Sequence, residues 1–216
     1  MAYPGLSILL NLSGRTCLVV GGGAVGVRKA AQLLDAGALR VRLLSPEYPP
    51  NLPAGVEHLA GLFTPGHLVG VGLVVAATND AAVNDAVLQA AGERGVLASR
   101  VDPTAGHVPG DFTNLAAGER GPVLVAVSAG SAAMSVATRD RLLAHLGEDW
   151  PRLAAFARDL RTRLIHADEP DEATRRAVFR DLATDAALDV LAAGGEDALW
   201  CWLTERHPGL LPLQTK

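Results

Sequence analysis

The sequence predicts an α/β fold: a Rossmann-like doubly wound parallel sheet, then a small strand/helix region, then a helical C-terminal domain. Three observations predict it. From Arg15 to about Val101, short β-branched apolar runs alternate with Ala/Leu-rich segments of helical spacing, the pattern of parallel strands joined by crossover helices. A glycine cluster, Gly21 to Gly26, falls between one such run and the helical segment after it. Beyond Gly130 the chain reads as helix almost to its end.

Thr16 to Val20 (TCLVV) is apolar without a two-residue period, as expected of a central strand covered on both faces. Ala24 to Ala36 has helical spacing, with Val25, Ala30, Leu33 and Leu34 apolar, and Gly37 stands where a helix C-cap commonly falls. A second strand, Arg40 to Leu44, gives way at Ser45-Pro46 to a Pro-rich loop, and Val56 to Leu59 is a short third strand. Leu73 to Ala77 is the fourth, ended by Thr78-Asn79-Asp80; Asp80 then caps a helix over Ala81 to Glu93. Val96 to Val101 is the fifth. A loop rich in Gly, Pro, Thr and His runs from Asp102 to a further strand over Pro122 to Ser128. Breaks at Gly147, Glu169-Pro170 and Gly194-Gly195 divide the remainder into four helices. One of them carries Leu153, Phe156, Leu160 and Leu164 on a single stripe. Trp200 and Trp202, two positions apart, cannot share a helix face and read as anchors of the last helix.

A chain of 216 residues with 49% hydrophobic and 19% charged residues buries a sizeable core and is not disordered. Its net charge of −4 provides no positive field for nucleic acid or an anionic membrane, so no nucleic-acid or membrane partner is expected. The two cysteines, Cys17 within a buried strand and Cys201 between two tryptophans, allow no disulfide framework or Cys-based metal site. The N-terminal MAYPGLSILLNLSGR lacks a basic n-region and a long apolar core, and no run of about 18 apolar residues exists; the reading is a cytoplasmic protein.

Gly21-Gly22-Gly23-Ala24-Val25-Gly26 satisfies G-x-G-x-x-G in the setting that gives the pattern meaning, directly after a strand and opening a helix. Gly21 permits the tight turn, Gly23 lets the backbone approach a pyrophosphate, and Gly26 lets helix and strand pack closely; amides at the helix start face the anion. NAD is therefore the expected cofactor. The acidic residue that usually binds the ribose 2′-hydroxyl about 20 residues on is replaced by Ser45, with Glu47 following. No Arg lies just past Ser45 to take a 2′-phosphate; Arg40 and Arg42, within the strand, fit equally a contribution to such a site and surface-facing strand positions.

CLVVGGGAVGVRKAAQLLDAGA, VVAATNDAAVNDAV, a strand ending in Val101-Asp102, and PVLVAVSAG resemble, in order and spacing over residues 6 to 145, the precorrin-2 dehydrogenase/sirohydrochlorin ferrochelatase family, including the dehydrogenase module of sirohaem synthases. The resemblance implies NAD-dependent oxidation of precorrin-2 to sirohydrochlorin in a homodimer. The cofactor takes a hydride, a proton is lost, and Asp102 serves as general base or orienting group. It places Gly23, Ala24 and Val25 at the pyrophosphate, Ser45 and Pro46 beside the adenosine ribose, and Thr78, Asn79 and Asp80 along the cofactor. It also implies a division into an NAD-binding domain over 1–113, a dimerisation region over 114–147 and a helical domain over 148–216. The substrate carries many carboxylates, so Arg28, Lys29, Arg100, Arg139 and Arg141 are candidates to neutralise them, with His107 and Ser128 as further substrate contacts. The chain departs from the family at Ser131-Ala132-Ala133-Met134, where Gly-Thr-Ser-Pro is frequent, and its stretch from Asp102 to Pro122 is longer than in some members.

The six histidines show no metal-ligand spacing, so no resident metal is expected, and insertion of iron or cobalt into the product stays open as a second activity. Ser128 lacks a G-x-S-x-G setting and is no hydrolase nucleophile. The rival of a different class is a non-catalytic NAD(H)-sensing Rossmann module, which binds the dinucleotide without turnover. The chain ends at Lys216 without the methyltransferase module fused to some members, so methylation is expected from another protein.

Overall fold

The computed structural model describes residues 6–102, 110–165 and 170–210. Its contacts divide the chain into two compact units, Met1–Asn114 and Leu115–Lys216.

The first unit is a five-stranded parallel sheet of β1 (Thr16–Val20), β2 (Arg40–Ser45), β3 (Val56–Ala60), β4 (Leu73–Ala76) and β5 (Leu97–Arg100), in the order β3-β2-β1-β4-β5. Helix α1 (Ala24–Asp35) crosses from β1 to β2 and α2 (Ala81–Gly92) from β4 to β5, with a short 3₁₀ turn at Pro65–Leu68. This is the doubly wound arrangement expected. The unbroken apolar run of β1 has the anticipated cause, since alternate residues enter two different cores. Cys17 and Val19 pack with Val41, Leu43, Val75 and Ala30 of α1 on one face. Leu18 and Val20 pack with Leu44, Val74 and the α2 residues Val87, Leu88 and Ala91 on the other. The chain reverses direction of travel along the sheet between β1 and β4, and at such a switch point the carboxyl ends of the strands leave a crevice.

Local signals set the element ends. Ala36 and Gly37 close α1 in a Schellman turn: the Ala38 amide donates to Leu33 O and the Gly37 amide to Leu34 O, and Gly37 has φ +77°. Asp80 caps α2, its Oδ1 accepting from the Ala82 and Val83 amides at 2.9 and 3.3 Å. On the edge strand β5, the amide of Ala98 donates to Asp111 Oδ2 at 2.8 Å and the amide of Asp111 to Ala98 O at 2.7 Å. A loop segment thus covers part of an exposed edge.

The second unit opens with an antiparallel hairpin of β6 (Ala116–Arg120) and β7 (Val123–Val127), followed by α3 (Ala132–His145), α4 (Asp149–Ile165), α5 (Glu172–Leu182) and α6 (Asp185–Arg206). The strand expected over Pro122 to Ser128 is β7. Its partner β6 falls within what reads from sequence as loop, because a five-residue AAGER strand has too little apolar character to announce itself. Gly121, at φ +57°, makes the tight turn between them. Helices α4, α5 and α6 share a core of Leu153, Leu160, Leu164, Val178, Leu182, Leu191, Leu199 and Leu203. Phe156, Trp200 and Trp202 pack against it, which agrees with the anticipated α4 stripe and with the anchoring of the last helix. One break differs from expectation: Ala183 and Thr184 separate α5 from α6. At Gly194-Gly195 the helix is interrupted as expected, Gly195 standing at φ +72° and ψ −165°, so α6 comprises two helical pieces. Among the described residues no helix is long and apolar enough to cross a membrane.

Candidate functional site

The carboxyl edge of the sheet gathers most of the residues singled out in the sequence. Gly21 to Gly26 follow β1, Ser45 and Pro46 end β2, Thr78 to Asp80 follow β4, and Asp102 follows β5.

The glycines divide the work as the motif requires. Gly21 has φ +121°, and a Cβ there would lie 2.4 Å from Ala77 O; a Cβ at Gly26 would lie 1.9 Å from Gly21 O. Both positions are closed to any side chain. Gly23 differs: its φ is −71°, an ordinary value, and a Cβ on it would meet nothing within 4 Å. Strain from a positive φ is therefore not the reason for glycine there, and the space beside it is open to a ligand. Ala24 and Val25, both exposed, begin α1. No side chain caps this helix and no acidic residue sits in its first turn, whereas α2, α3, α5 and α6 are capped by Asp80, Ser131, Asp171 and Thr184. First-turn amides with no capping side chain, beside an open backbone approach, fit a phosphate group.

A cleft of about 310 Å³ adjoins this loop, lined by Gly22, Ser45, Pro46, Glu47, Tyr48, Pro49 and Pro50. Ser45 is buried, and its hydroxyl donates to Glu47 O at 2.7 Å. With that hydrogen committed, His58 Nε2–H is the donor to both Ser45 Oγ and Ser45 O, each at 3.1 Å. The Ser45 hydroxyl is thus tied up within the protein. Exposed Glu47 supplies the carboxylate of this cleft. His58, with Tyr48 edge-on at 5.1 Å, is one of the six scattered histidines, and a histidine in a short strand carries no sequence signal of this contact with Ser45. Arg42 pairs with Glu57 on the neighbouring strand at 3.2 Å.

Asp102 lies in a side-chain network. Asn84, fully buried in α2, accepts at Oδ1 from the Thr78 amide (3.1 Å) and hydroxyl (2.8 Å), and donates from Nδ2 to Thr78 O (3.1 Å) and Asp102 Oδ1 (3.0 Å). One asparagine thereby ties the turn after β4 to the end of β5. Arg100 grips Asp102 with two parallel bonds, Nε to Oδ1 at 3.0 Å and Nη2 to Oδ2 at 3.1 Å, and turns Nη1 to Asp85. The Arg100 guanidinium, with help from Asn84 and against the cost of burial, holds the Asp102 carboxyl below the usual carboxylate range; the same bonds raise Arg100. Because the Arg100 side chain is only 4% exposed, its guanidinium faces inward to two aspartates, and its burial opposes the substrate-carboxylate role read from sequence. Asn84 and Asp85 also went unremarked; an Asn at the fourth position of an otherwise Ala/Val/Leu helix is the signal that was available.

The other candidates are dispersed. Arg28 is exposed on α1. Lys29 is half-buried there, its ammonium pushed below the usual lysine value by burial and by Arg28. Asn79 is exposed, and Asp80 serves as a helix cap. Ser128, exposed just past β7, and Arg141, exposed on α3, belong to the second unit. Arg139 donates to Ala117 O of the hairpin at 3.0 Å and pairs with Asp140. His107 lies outside the described residues. Among the described residues no three His, Cys, Asp or Glu side chains converge as a metal site.

Residues 8–112 match a family model described as "Putative NAD(P)-binding". The chain is 36% identical over 198 residues to the siroheme synthase of Chromobacterium violaceum, covering 88% of this chain and 41% of that protein. It is 37% identical over 200 residues to siroheme synthase 1 of Aeromonas salmonicida, covering 89% and 42%. The chain thus spans about two fifths of the length of the curated relatives it matches. Among solved structures it shares the fold of SirC, a precorrin-2 dehydrogenase, with a TM-score of 0.70 at 19% identity over 93% of this chain and 100% of that one. Over most of its own length the chain is thus similar to part of the siroheme synthases, and residues 8–112 are similar to the NAD(P)-binding family model.

Proposed function

We propose that this protein oxidises precorrin-2 to sirohydrochlorin with NAD, in the cytoplasm and on the route to sirohaem. The observation that carries the reading is the pairing, on one sheet edge, of an anion-ready α1 N-terminus beside Gly23 with an ionised carboxylate at Asp102. The similarity to siroheme synthases supports the substrate class, and the fold shared with SirC is consistent with it. When bound, NAD accepts the hydride. The protein's own part is to hold the pyrophosphate at Gly23, Ala24 and Val25, to seat the adenosine ribose in the cleft of Ser45, Pro46 and Glu47, and to present Asp102 near the macrocycle, with Thr78, Asn79 and Asp80 bordering the cofactor between them. Glu47 in the cleft and the engagement of Arg42 by Glu57 favour NAD over NADP.

The division into an NAD-binding domain (1–113), a dimerisation region (114–147) and a helical domain (148–216) belongs to the same proposal. A homodimer is supported by the hairpin: Leu124 and Ala126 point away from the residues that pack inward, and Leu124, Met134 and Val136 are exposed. The free thiols Cys17 and Cys201 accord with a reducing compartment. The test is incubation of the purified protein with precorrin-2 and NAD or NADP, following the macrocycle absorbance. Conversion with NAD supports the proposal; tight NAD binding without conversion means the sensor reading is the correct one.

A further inference from the structure

We propose that Arg100 is a positioning residue that fixes Asp102 as an ionised, single-orientation carboxylate, so that Asp102 serves the oxidation by its negative charge and not by taking up the proton. The proposal rests on Asp102 being the carboxylate of precorrin-2 oxidation.

The hydrogen-bond polarity around Asp102 carries the argument. Oδ1 receives Arg100 Nε and Asn84 Nδ2, each at 3.0 Å, and Oδ2 receives Arg100 Nη2 at 3.1 Å. Each of these three partners is a donor. A proton added to either oxygen weakens it as an acceptor and removes the charge that strengthens the Arg100 fork, so the neutral form gives up much of what the three donors supply. The asparagine cannot relieve this by turning over its amide, because its Oδ1 already accepts two Thr78 bonds and its Nδ2 donates to Thr78 O. Nor can Arg100 withdraw, since its side chain is 4% exposed and its third arm is held by Asp85. Among the described residues Arg100 from β5 and Asn84 from α2 face Asp102, and Asp85 acts on it through Arg100. Asp102 itself is 34% exposed on its side chain, so its charge is anchored by Arg100 and Asn84 and still reaches the surface. The low pKa that this arrangement imposes agrees with it.

The chemistry balances without a carboxylate base. Precorrin-2 gives up a hydride, one hydrogen with two electrons, to the nicotinamide ring, which becomes NADH. The macrocycle is left with one positive charge, which a fixed carboxylate stabilises electrostatically. The macrocycle then loses one proton to water, and precorrin-2 plus NAD⁺ has become sirohydrochlorin, NADH and H⁺.

The test combines a carboxyl titration with kinetics on the full chain. In ¹³C-aspartate-labelled protein, with the Asp102 signal assigned through Asp102→Asn, that signal is expected to stay unmoved between about pH 4.5 and 7. In Arg100→Gln it moves into the ordinary carboxylate range, kcat falls at least about tenfold with KM for NAD within about twofold, and the kcat–pH profile gains an acid limb. Arg100→Lys, which keeps the charge and loses the fork, lies between; it is the variant that decides if Arg100→Gln does not fold. A wild-type Asp102 that titrates above about pH 4.5 overturns the proposal. So does an Arg100→Gln or Arg100→Lys enzyme with the wild-type kcat–pH profile. If the wild type does not oxidise precorrin-2, the functional reading falls, while the titration still decides whether Arg100 holds Asp102 ionised.

Discussion

At the β1 end of the sheet edge the chain makes room by leaving side chains out: Gly21, Gly23 and Gly26 expose backbone, and α1 starts with no capping side chain. At the β5 end the same edge is crowded with interlocked side chains, Asn84, Asp85, Arg100 and Asp102, whose bonds cross between α2, the β4 turn and β5. The first end suits a ligand that brings its own negative charge, since it offers donors and little else. The second suits a step in which positive charge develops, since it holds a negative charge in place. One edge thus presents opposite electrostatics to two parts of a bound assembly, and each half is built from the cheapest material for its sign.

The largest expected effect breaks the backbone end outright. Gly26→Val puts a Cβ 1.9 Å from Gly21 O, a backbone atom that the β1 turn holds in place. Stability should fall by about 3 kcal/mol or more, read as a lost or strongly lowered denaturation midpoint. A variant as stable as the wild type would show that the helix can shift away from the strand.

Next comes the side-chain end. Asp102→Asn keeps the shape and removes the charge, and turnover should fall by roughly 10²-fold with NAD affinity little changed. Its stability should also fall, by about 1 kcal/mol, because the new amide cannot accept as well as a carboxylate from a buried arginine. From sequence alone Asp102→Asn promises no change in stability; the Arg100 fork is the reason it does. Steady-state kinetics alongside urea unfolding separate the two losses.

That contrast explains what was legible. The glycine end is written within six consecutive residues, each with a local steric reason, so strand, turn, helix and phosphate site could be read together. The Schellman turn at Gly37 and the cap at Asp80 are local in the same way. The Asp102 end depends on pairs 15 to 18 residues apart, Arg100 with Asp85 and Asn84 with Asp102, whose meeting is decided by how α2 lies along the sheet. A sequence shows an Asn and an Asp in a helix and an Arg at a strand end, and each passes for surface decoration. Arg100 was accordingly read as a substrate contact. Ser45 fared similarly: its place at the end of β2 was evident, but not that Glu47 O and His58 had claimed its hydroxyl.

Gly23→Val sharpens the comparison at the open position. The substitution meets no protein atom within 4 Å at Cβ and needs no unusual φ, so stability should change by less than about 0.5 kcal/mol. The added side chain occupies the approach to the pyrophosphate, and NAD affinity should fall at least about tenfold, or about 1.4 kcal/mol, by fluorescence titration. Equal NAD affinity in a folded Gly23→Val protein would remove the phosphate site from this loop.

The smallest effect is a pH dependence that belongs to the side-chain end alone. Asp102 is held below its ordinary pKa in the folded protein, chiefly by Arg100. A depressed carboxylate contributes stability that is fully present above the unfolded pKa and is lost as pH falls through the folded one. The stability gap between wild type and Asp102→Asn, about 1 kcal/mol at pH 7 after the screening that a third-exposed carboxylate receives, should therefore narrow as pH drops below about 4. Gly23→Val involves no titrating group, so its small difference from wild type should stay level over the same range. Asp181 provides an internal complication in the second unit, where Arg206 and His207 hold it low in the same way, and it will steepen the acid unfolding of every variant equally. Only differences between variants isolate Asp102. Urea unfolding at pH 7, 5 and 3.5 makes the measurement, and a gap that stays constant to pH 3.5 would mean that Arg100 and Asp102 are not paired in solution.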